Sequence, residues 1–391
     1  SALKQEKKMP RYPNAVPRLS VVHRTPYSQF VQQAAAQGGP IYKLHIGDTY
    51  MSPPKGCRME DLRESDYPGL HCYAPVGGRS DLIDAIAERT RVTQDKAAER
   101  AEILVTAGAT GGLYAAAVAL LEPTDEVIVL APAWPLILNA IRCAGAKAIA
   151  TPFFERAHDP QSAAQVIRDA IGPNTTAIYW NTPNNPTGRL IPESWLQAMS
   201  EVARESNLWI ISDEVYEHYN YGEDHCYSRC FAPERTLAAY SFSKAYGMAG
   251  NRCGDMVGPE SAIEALKRVT RNSFYAVTTA AQIAGVRTLL GPGDHWAEDA
   301  ARQYQAVGYQ AAVRLGITPP RGGAFLFVDV GAALDHRGLD GLLSDCADRG
   351  LLAAPGTSFG PYPNHVRICF TSMPPEDTMA GVEILAQAIG V

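Results

Sequence analysis

Short apolar runs alternate with helix-spaced stripes through the middle of the chain. The runs cover residues 103–105, 126–130, 146–150, 176–180, 208–211, 236–240 and 256–257. Each is β-branched or apolar on both faces, as suits a strand buried within a parallel sheet. Between them, apolar residues return at helical spacing. Leu82, Ile83 and Ile86 share one face, and residues 162–171 and 193–206 carry similar stripes, the latter opened by Pro192. Strand and helix at this rhythm predict an α/β fold whose large domain holds a mostly parallel seven-stranded sheet. After about residue 290 the texture changes. Residues 294–315 read as one long amphipathic helix, and 324–330 and 365–370 as strands between two further helical stretches. This is the pattern of a smaller α+β domain. The expected division is an N-terminal segment, 1–45, packed on the small domain, a large domain, 46–290, and a small C-terminal domain, 291–391.

Composition narrows the class. Of 391 residues, 46% are apolar and 19% charged, the mix of a globular protein able to bury a large core. No uncharged apolar run reaches the roughly 18 residues of a membrane span. Residues 1–18 are charged and proline-rich, unlike a signal peptide, so a cytoplasmic location is expected. The net charge of −6 argues against a nucleic-acid partner. Eight scattered cysteines read as reduced thiols. His218, His225, Cys226 and Cys230 lie close in sequence, but their spacing fits no zinc pattern, and no metal is expected.

Familiar motifs fail first. There is no phosphate-binding G-x-x-x-x-G-K-[ST] and no G-x-G-x-x-G after a strand. Gly356-Thr357-Ser358-Phe359-Gly360 matches a hydrolase nucleophile elbow. No histidine follows His365 to complete a triad, and Ala353-Ala354-Pro355 is a poor strand to precede the elbow.

Four segments hold, each just beyond a predicted strand, where open parallel sheets bind ligands. Gly108-Ala109-Thr110-Gly111-Gly112 opens a helix of small residues. Its backbone N–H groups suit a phosphate, although a tight turn would explain the glycines equally well. Residues 181–188, rich in Asn, Pro and Gly, form a loop with amide donors at a strand end. Asp213 follows an apolar strand, either as a helix cap or as a buried acid that needs a positive partner. Ser241-Phe242-Ser243-Lys244 follows another strand, with Arg252 eight residues on. Burial lowers a lysine's pKa toward a reactive amine suited to a Schiff base. An acid, a Schiff-base lysine and a phosphate cradle together describe pyridoxal phosphate.

In this order and spacing the segments resemble the fold type I PLP enzymes, the aspartate aminotransferase superfamily, class I/II branch, from about Leu44 to Arg367. The resemblance implies that Lys244 forms the internal aldimine, Asp213 pairs with the pyridinium nitrogen, and Tyr216 and Asn185 bind the cofactor O3′. It places Trp134 on the pyridine face. Gly108, Ala109, Thr110, Ser241, Ser243 and Arg252 then surround the phosphate. Arg367 grips the substrate α-carboxylate, with Asn185 and Gly47 beside the substrate. Tyr73 is donated to the neighbouring subunit's phosphate, which implies a homodimer with shared sites. The implied activity is ping-pong transfer of an amino group between an α-amino acid and a 2-oxo acid. The alternative on the same scaffold is a PLP-dependent lyase, cyclase or decarboxylase. A non-enzymatic PLP-binding regulator would need a DNA-binding extension, and no helix-turn-helix pattern precedes Leu44.

The chain departs from the family pattern on the substrate side. Gly47-Asp48-Thr49-Tyr50 stands where Gly-Glu-Pro or Gly-Asp-Pro is usual, Asn251 and Asp255 stand at usual aromatic positions, and Gly323-Ala324-Phe325-Leu326-Phe327 replaces Gly-Ala-Phe-Tyr-x-Phe. An acidic side-chain substrate would need a second cation, for which Arg271 and Arg24 are candidates. His71 and Tyr50 are candidate pocket residues.

Overall fold

All seven apolar runs enter one sheet in the computed structural model, which describes residues 28–94 and 96–391. The strands are β1 (Ile103–Thr106), β2 (Glu126–Ala131), β3 (Lys147–Pro152), β4 (Thr175–Asn181), β5 (Trp209–Asp213), β6 (Thr236–Ser241) and β7 (Gly254–Val257). Their lateral order is β1-β7-β6-β5-β4-β2-β3. The pairs from β6 to β3 are all parallel. The last run differs from the parallel reading: β7 is antiparallel to both β6 and β1. Between β6 and β7 the chain forms only one helical turn, Phe242–Ala245, and a short 3-10 turn, Ala249–Asn251. A parallel return usually runs through a full helix, which this link lacks, and the strand doubles back instead. The run predicted at 146–150 also differs in setting. As β3 it is an edge strand with several partly exposed positions, not one buried on both faces.

The helices longer than one turn are α1 (Ser28–Ala36), α2 (Ser80–Thr93), α3 (Gly108–Leu120), α4 (Pro135–Cys143), α5 (Pro160–Ala170), α6 (Glu193–Glu205), α7 (Glu260–Ser273), α8 (Thr279–Leu289), α9 (Gly293–Arg314), α10 (Gly338–Asp348) and α11 (Pro375–Ile389). Strand alternation divides the central sheet between two helical layers. Ile128, Ile178, Trp180 and Ile210 pack with α5 and α6. Val127, Val129, Tyr179 and Ile211 face the other way, against α3, α4 and α7. Fully burying one such side chain is worth roughly 1.5–3 kcal/mol, so both layers must be covered.

A second, antiparallel sheet contains β8 (Phe325–Asp329), β9 (Ala354–Pro355) and β10 (His365–Cys369), in the order β9-β10-β8. Helices α9, α10 and α11 cover it. Phe30 and Ala34 of α1 join the same core as Tyr304, Leu342 and Leu385. Gln33 Nε2 donates to Ser344 Oγ at 2.8 Å, and Tyr42–Lys43 pairs with Leu351–Leu352. Among the described residues no helix is long and apolar enough to cross a membrane, and none of the eight cysteines forms a disulfide.

Candidate active site

The carboxyl ends of β4, β5 and β6 open toward the second sheet, leaving a cavity of about 770 Å³. Asp213 ends β5 and is 4% exposed. Burial pushes its carboxyl pKa up to about 6, opposed by the Tyr179 hydroxyl, which donates to Oδ2 at 2.8 Å, and by the Val215 N–H. Asn181 ends β4. Its Nδ2 donates to the Asp213 carbonyl at 2.8 Å, and its Oδ1 accepts from the Asn185 N–H at 2.6 Å. The amide-rich loop is thereby tied to the acid-bearing strand.

Ser241 ends β6, and its hydroxyl caps the next turn by accepting from the Ser243 N–H at 3.0 Å. That turn carries Lys244 into the cavity with a side chain only 16% exposed. Burial lowers the Lys244 pKa, while the Asp48 carboxylate, 3.7 Å from Nζ, opposes the shift. Nζ donates to the Gly47 carbonyl, and the Lys244 carbonyl accepts from the Tyr219 hydroxyl at 2.5 Å.

Arg252 has a left-handed backbone, φ 51°, an unfavourable state for a side-chain-bearing residue. Its guanidinium donates to the Ala249 carbonyl at 2.9 Å and reaches Ser243 Oγ at 3.4 Å. Gly108 opens α3 at φ 66°, where a Cβ would lie 2.6 Å from Arg252 Nη2. The positive φ favours glycine there, and the missing Cβ leaves the guanidinium its room. Across the cavity, Arg367 lies between the rings of Phe325 and Phe359, at 4.4 and 4.9 Å from their centroids. It donates to Asn185 Oδ1 at 3.2 Å and to the His45 carbonyl. His45 is pushed down to about 4, first by burial and then by the Arg367 charge. A Cβ on Gly47 would stand 2.9 Å from the Phe325 ring, so glycine permits that approach.

Gly47, Ala109, Thr110, Trp134, Asn185, Asp213, Tyr216, Ser241, Ser243, Lys244, Arg252 and Arg367 all line this cavity. Gly108 sits behind them against Arg252. Tyr73 does not line it: its ring is 88% exposed and meets Tyr275 edge-on at 5.1 Å. His71 is also outside, beside Glu64 at 3.3 Å on the surface, and Tyr50 packs on Tyr304 instead. Arg271 is exposed in the last turn of α7, away from the cavity, and Arg24 lies outside the described residues. His225 bonds Glu214 at 2.9 Å, and no metal-binding group of three occurs among the described residues.

Residues 40–385 match the family model for aminotransferase class I and II. The chain belongs to this family. The class I/II aminotransferase is 30% identical over 366 residues to an aspartate/prephenate aminotransferase of Thermus thermophilus, covering 90% of this chain and 92% of that protein. It is 29% identical over 369 residues to an arginine–pyruvate transaminase of Pseudomonas aeruginosa, covering 88% and 93%. A solved aspartate aminotransferase from Thermus thermophilus with maleate superposes with a TM-score of 0.86 at 27% identity, covering 97% of this aminotransferase and all of that chain. These relatives are aminotransferases, and none of the three favours the lyase, cyclase or decarboxylase alternative.

Several residues that build the site escape the sequence pattern. Tyr179 reaches Asp213 from a neighbouring strand, 34 positions earlier. Phe359 flanks Arg367 from inside the segment that resembled a nucleophile elbow. Arg142, two turns into α4, also lines the cavity, and no motif of the sequence marks it. The acid at the usual aromatic position 255 has a local cause: Asp255 is buried and pairs with Arg89 at 2.9 Å.

Proposed function

We propose that this aminotransferase moves an amino group between an α-amino acid and a 2-oxo acid, with pyridoxal 5′-phosphate held in the cavity between the sheets. The observation that carries the reading is the convergence of a buried lysine, a buried acid and a glycine-opened arginine cradle on that one space. The residues fit the cofactor chemically. The N-terminus of α3, Ser241, Ser243 and Arg252 supply donors and positive charge for a phosphate. Asp213, costly to ionise alone, fits a protonated ring nitrogen. Tyr216 and Asn185 offer donors for the ring hydroxyl, and Trp134 offers a face for stacking. Bound there, the cofactor supplies a carbonyl for the amine and a ring that accepts electrons from the substrate Cα.

The side chains then divide the work. Arg367, already desolvated between two rings, holds the α-carboxylate and fixes the direction of the Cα–H bond. Lys244 is held toward its neutral amine by burial, which suits it to condense with a carbonyl and to move the proton at Cα. Asp213 keeps a proton on the ring nitrogen. A homodimer belongs to the same reading, because the exposed Tyr73 is free to enter a neighbour's site.

The test is the absorbance of the chain mixed with pyridoxal phosphate. The wild type is expected to develop a visible band unlike that of the free cofactor, and Lys244→Ala to lack it. Identical spectra for the two proteins would overturn the reading.

A further inference from the structure

Beyond Trp134 the cavity continues along α4. Leu138, Asn139 and Arg142 also line it, and Trp134, Leu138 and Arg142 recur every four residues on one helical face. Arg142 lies eight residues from Trp134, about 12 Å along the axis, and helical side chains lean back toward the N-terminus. Its guanidinium thus serves the stretch of cavity beyond the indole.

Four Lys or Arg side chains line the cavity. Lys244, Arg252 and Arg367 have roles in the proposed reaction, and Arg142 has none. It is half-buried, and its guanidinium makes a long contact to Asn139 Oδ1, at 3.4 Å. No carboxylate among the described residues pairs with it, and burial lowers its pKa. Half-buried cations normally have an anion near them. A second group points to a ligand. Ser358 lines the same cavity, and its Oγ is buried without a hydrogen-bond partner. Buried hydroxyls are rarely left unbonded.

We propose that Arg142 and Ser358 form a distal anion subsite, which takes a carboxylate carried at the far end of the substrate side chain. This rests on reading the cavity as the amino-acid site, and it names the substrate class: long dicarboxylic amino acids and their 2-oxo acids. Because the guanidinium stands beyond Trp134, the advantage of an acid over its uncharged counterpart should grow from aspartate through glutamate to 2-aminoadipate.

The experiment compares single-turnover kcat/KM of the PLP-loaded protein for 2-aminoadipate and for norleucine, which lacks the terminal carboxylate. Wild type is expected to favour 2-aminoadipate by roughly tenfold or more, the scale of one charge-assisted hydrogen bond. Arg142→Gln should collapse that ratio through KM, Arg142→Lys should keep part of it, and Ser358→Ala should lower it severalfold. Calorimetric binding of adipate, which has no amino group, should weaken in parallel in Arg142→Gln. Equal use of both amino acids by wild type, or an unchanged ratio and unchanged adipate binding in Arg142→Gln, overturns the subsite. If no amino acid alters the cofactor absorbance, the transamination reading fails instead. Adipate binding that depends on Arg142 would then still support the subsite.

Discussion

Asp213 titrates near pH 6 because a strand end deep in the sheet strips its carboxylate of water faster than Tyr179 replaces it. The folded chain therefore holds this proton more tightly than an unfolded one. Without cofactor, the cost of ionising Asp213 is fully present above its folded pKa and fades as the pH falls toward the ordinary carboxylate range. Lowering the pH from about 8 to about 5 should stabilise the cofactor-free protein through this group, and Asp213→Asn should flatten that slope. Thermal unfolding of both proteins at the two pH values checks it, and equal slopes would count against the assignment. The same residue shows what is legible at this scale. An acid after an apolar strand and a lysine after another are visible in one dimension, because the strand itself announces their burial. Tyr179 and Phe325 are not, since each acts on a charged group far away in sequence, and Phe359, though near Arg367 in the chain, sits in a segment that reads as a nucleophile elbow.

Among elements, the reversal of β7 matters most to the site. The link from β6 carries no full helix and returns directly, and the return holds Arg252 beside Ser243 and Gly108. Apolar periodicity marks a strand without giving its direction, so the reversal was not legible from the run at 256–257. Its anchor is the buried Asp255, which Arg89 of α2 grips at 2.9 Å while lying over the Tyr240 ring at 4.6 Å. Removing Asp255 leaves the buried Arg89 only the longer carboxylate contact to Glu217, at 4.0 Å. Asp255→Ala is therefore expected to cost about 3–5 kcal/mol of stability. Denaturant unfolding measures this, and a loss below about 1 kcal/mol would show that the pair is solvated or dispensable. Helix positions were easier to read. The stripes at 193–206 and 294–315 became Glu193–Glu205 and Gly293–Arg314, shifted by a residue at most, since an amphipathic face records its own length.

Across the whole molecule, two cores of different architecture meet at one cavity. The seven-stranded sheet brings the lysine, the acid and the cradle, while the antiparallel sheet brings Arg367 and its flanking rings. Neither part holds a complete site. The pairing was legible only through resemblance, because nothing in the periodicity of either half records how the two dock. Helix α4 from one part and the loop with Ser358 from the other line that same cavity. The most direct measurement is a half-reaction: the PLP-loaded protein is mixed with a single amino acid, with no 2-oxo acid present, and its visible absorbance is followed. An aminotransferase predicts loss of the band with release of one equivalent of 2-oxo acid, and full recovery of the band when a 2-oxo acid is added. Repeated turnover of the amino acid with the band retained would contradict it.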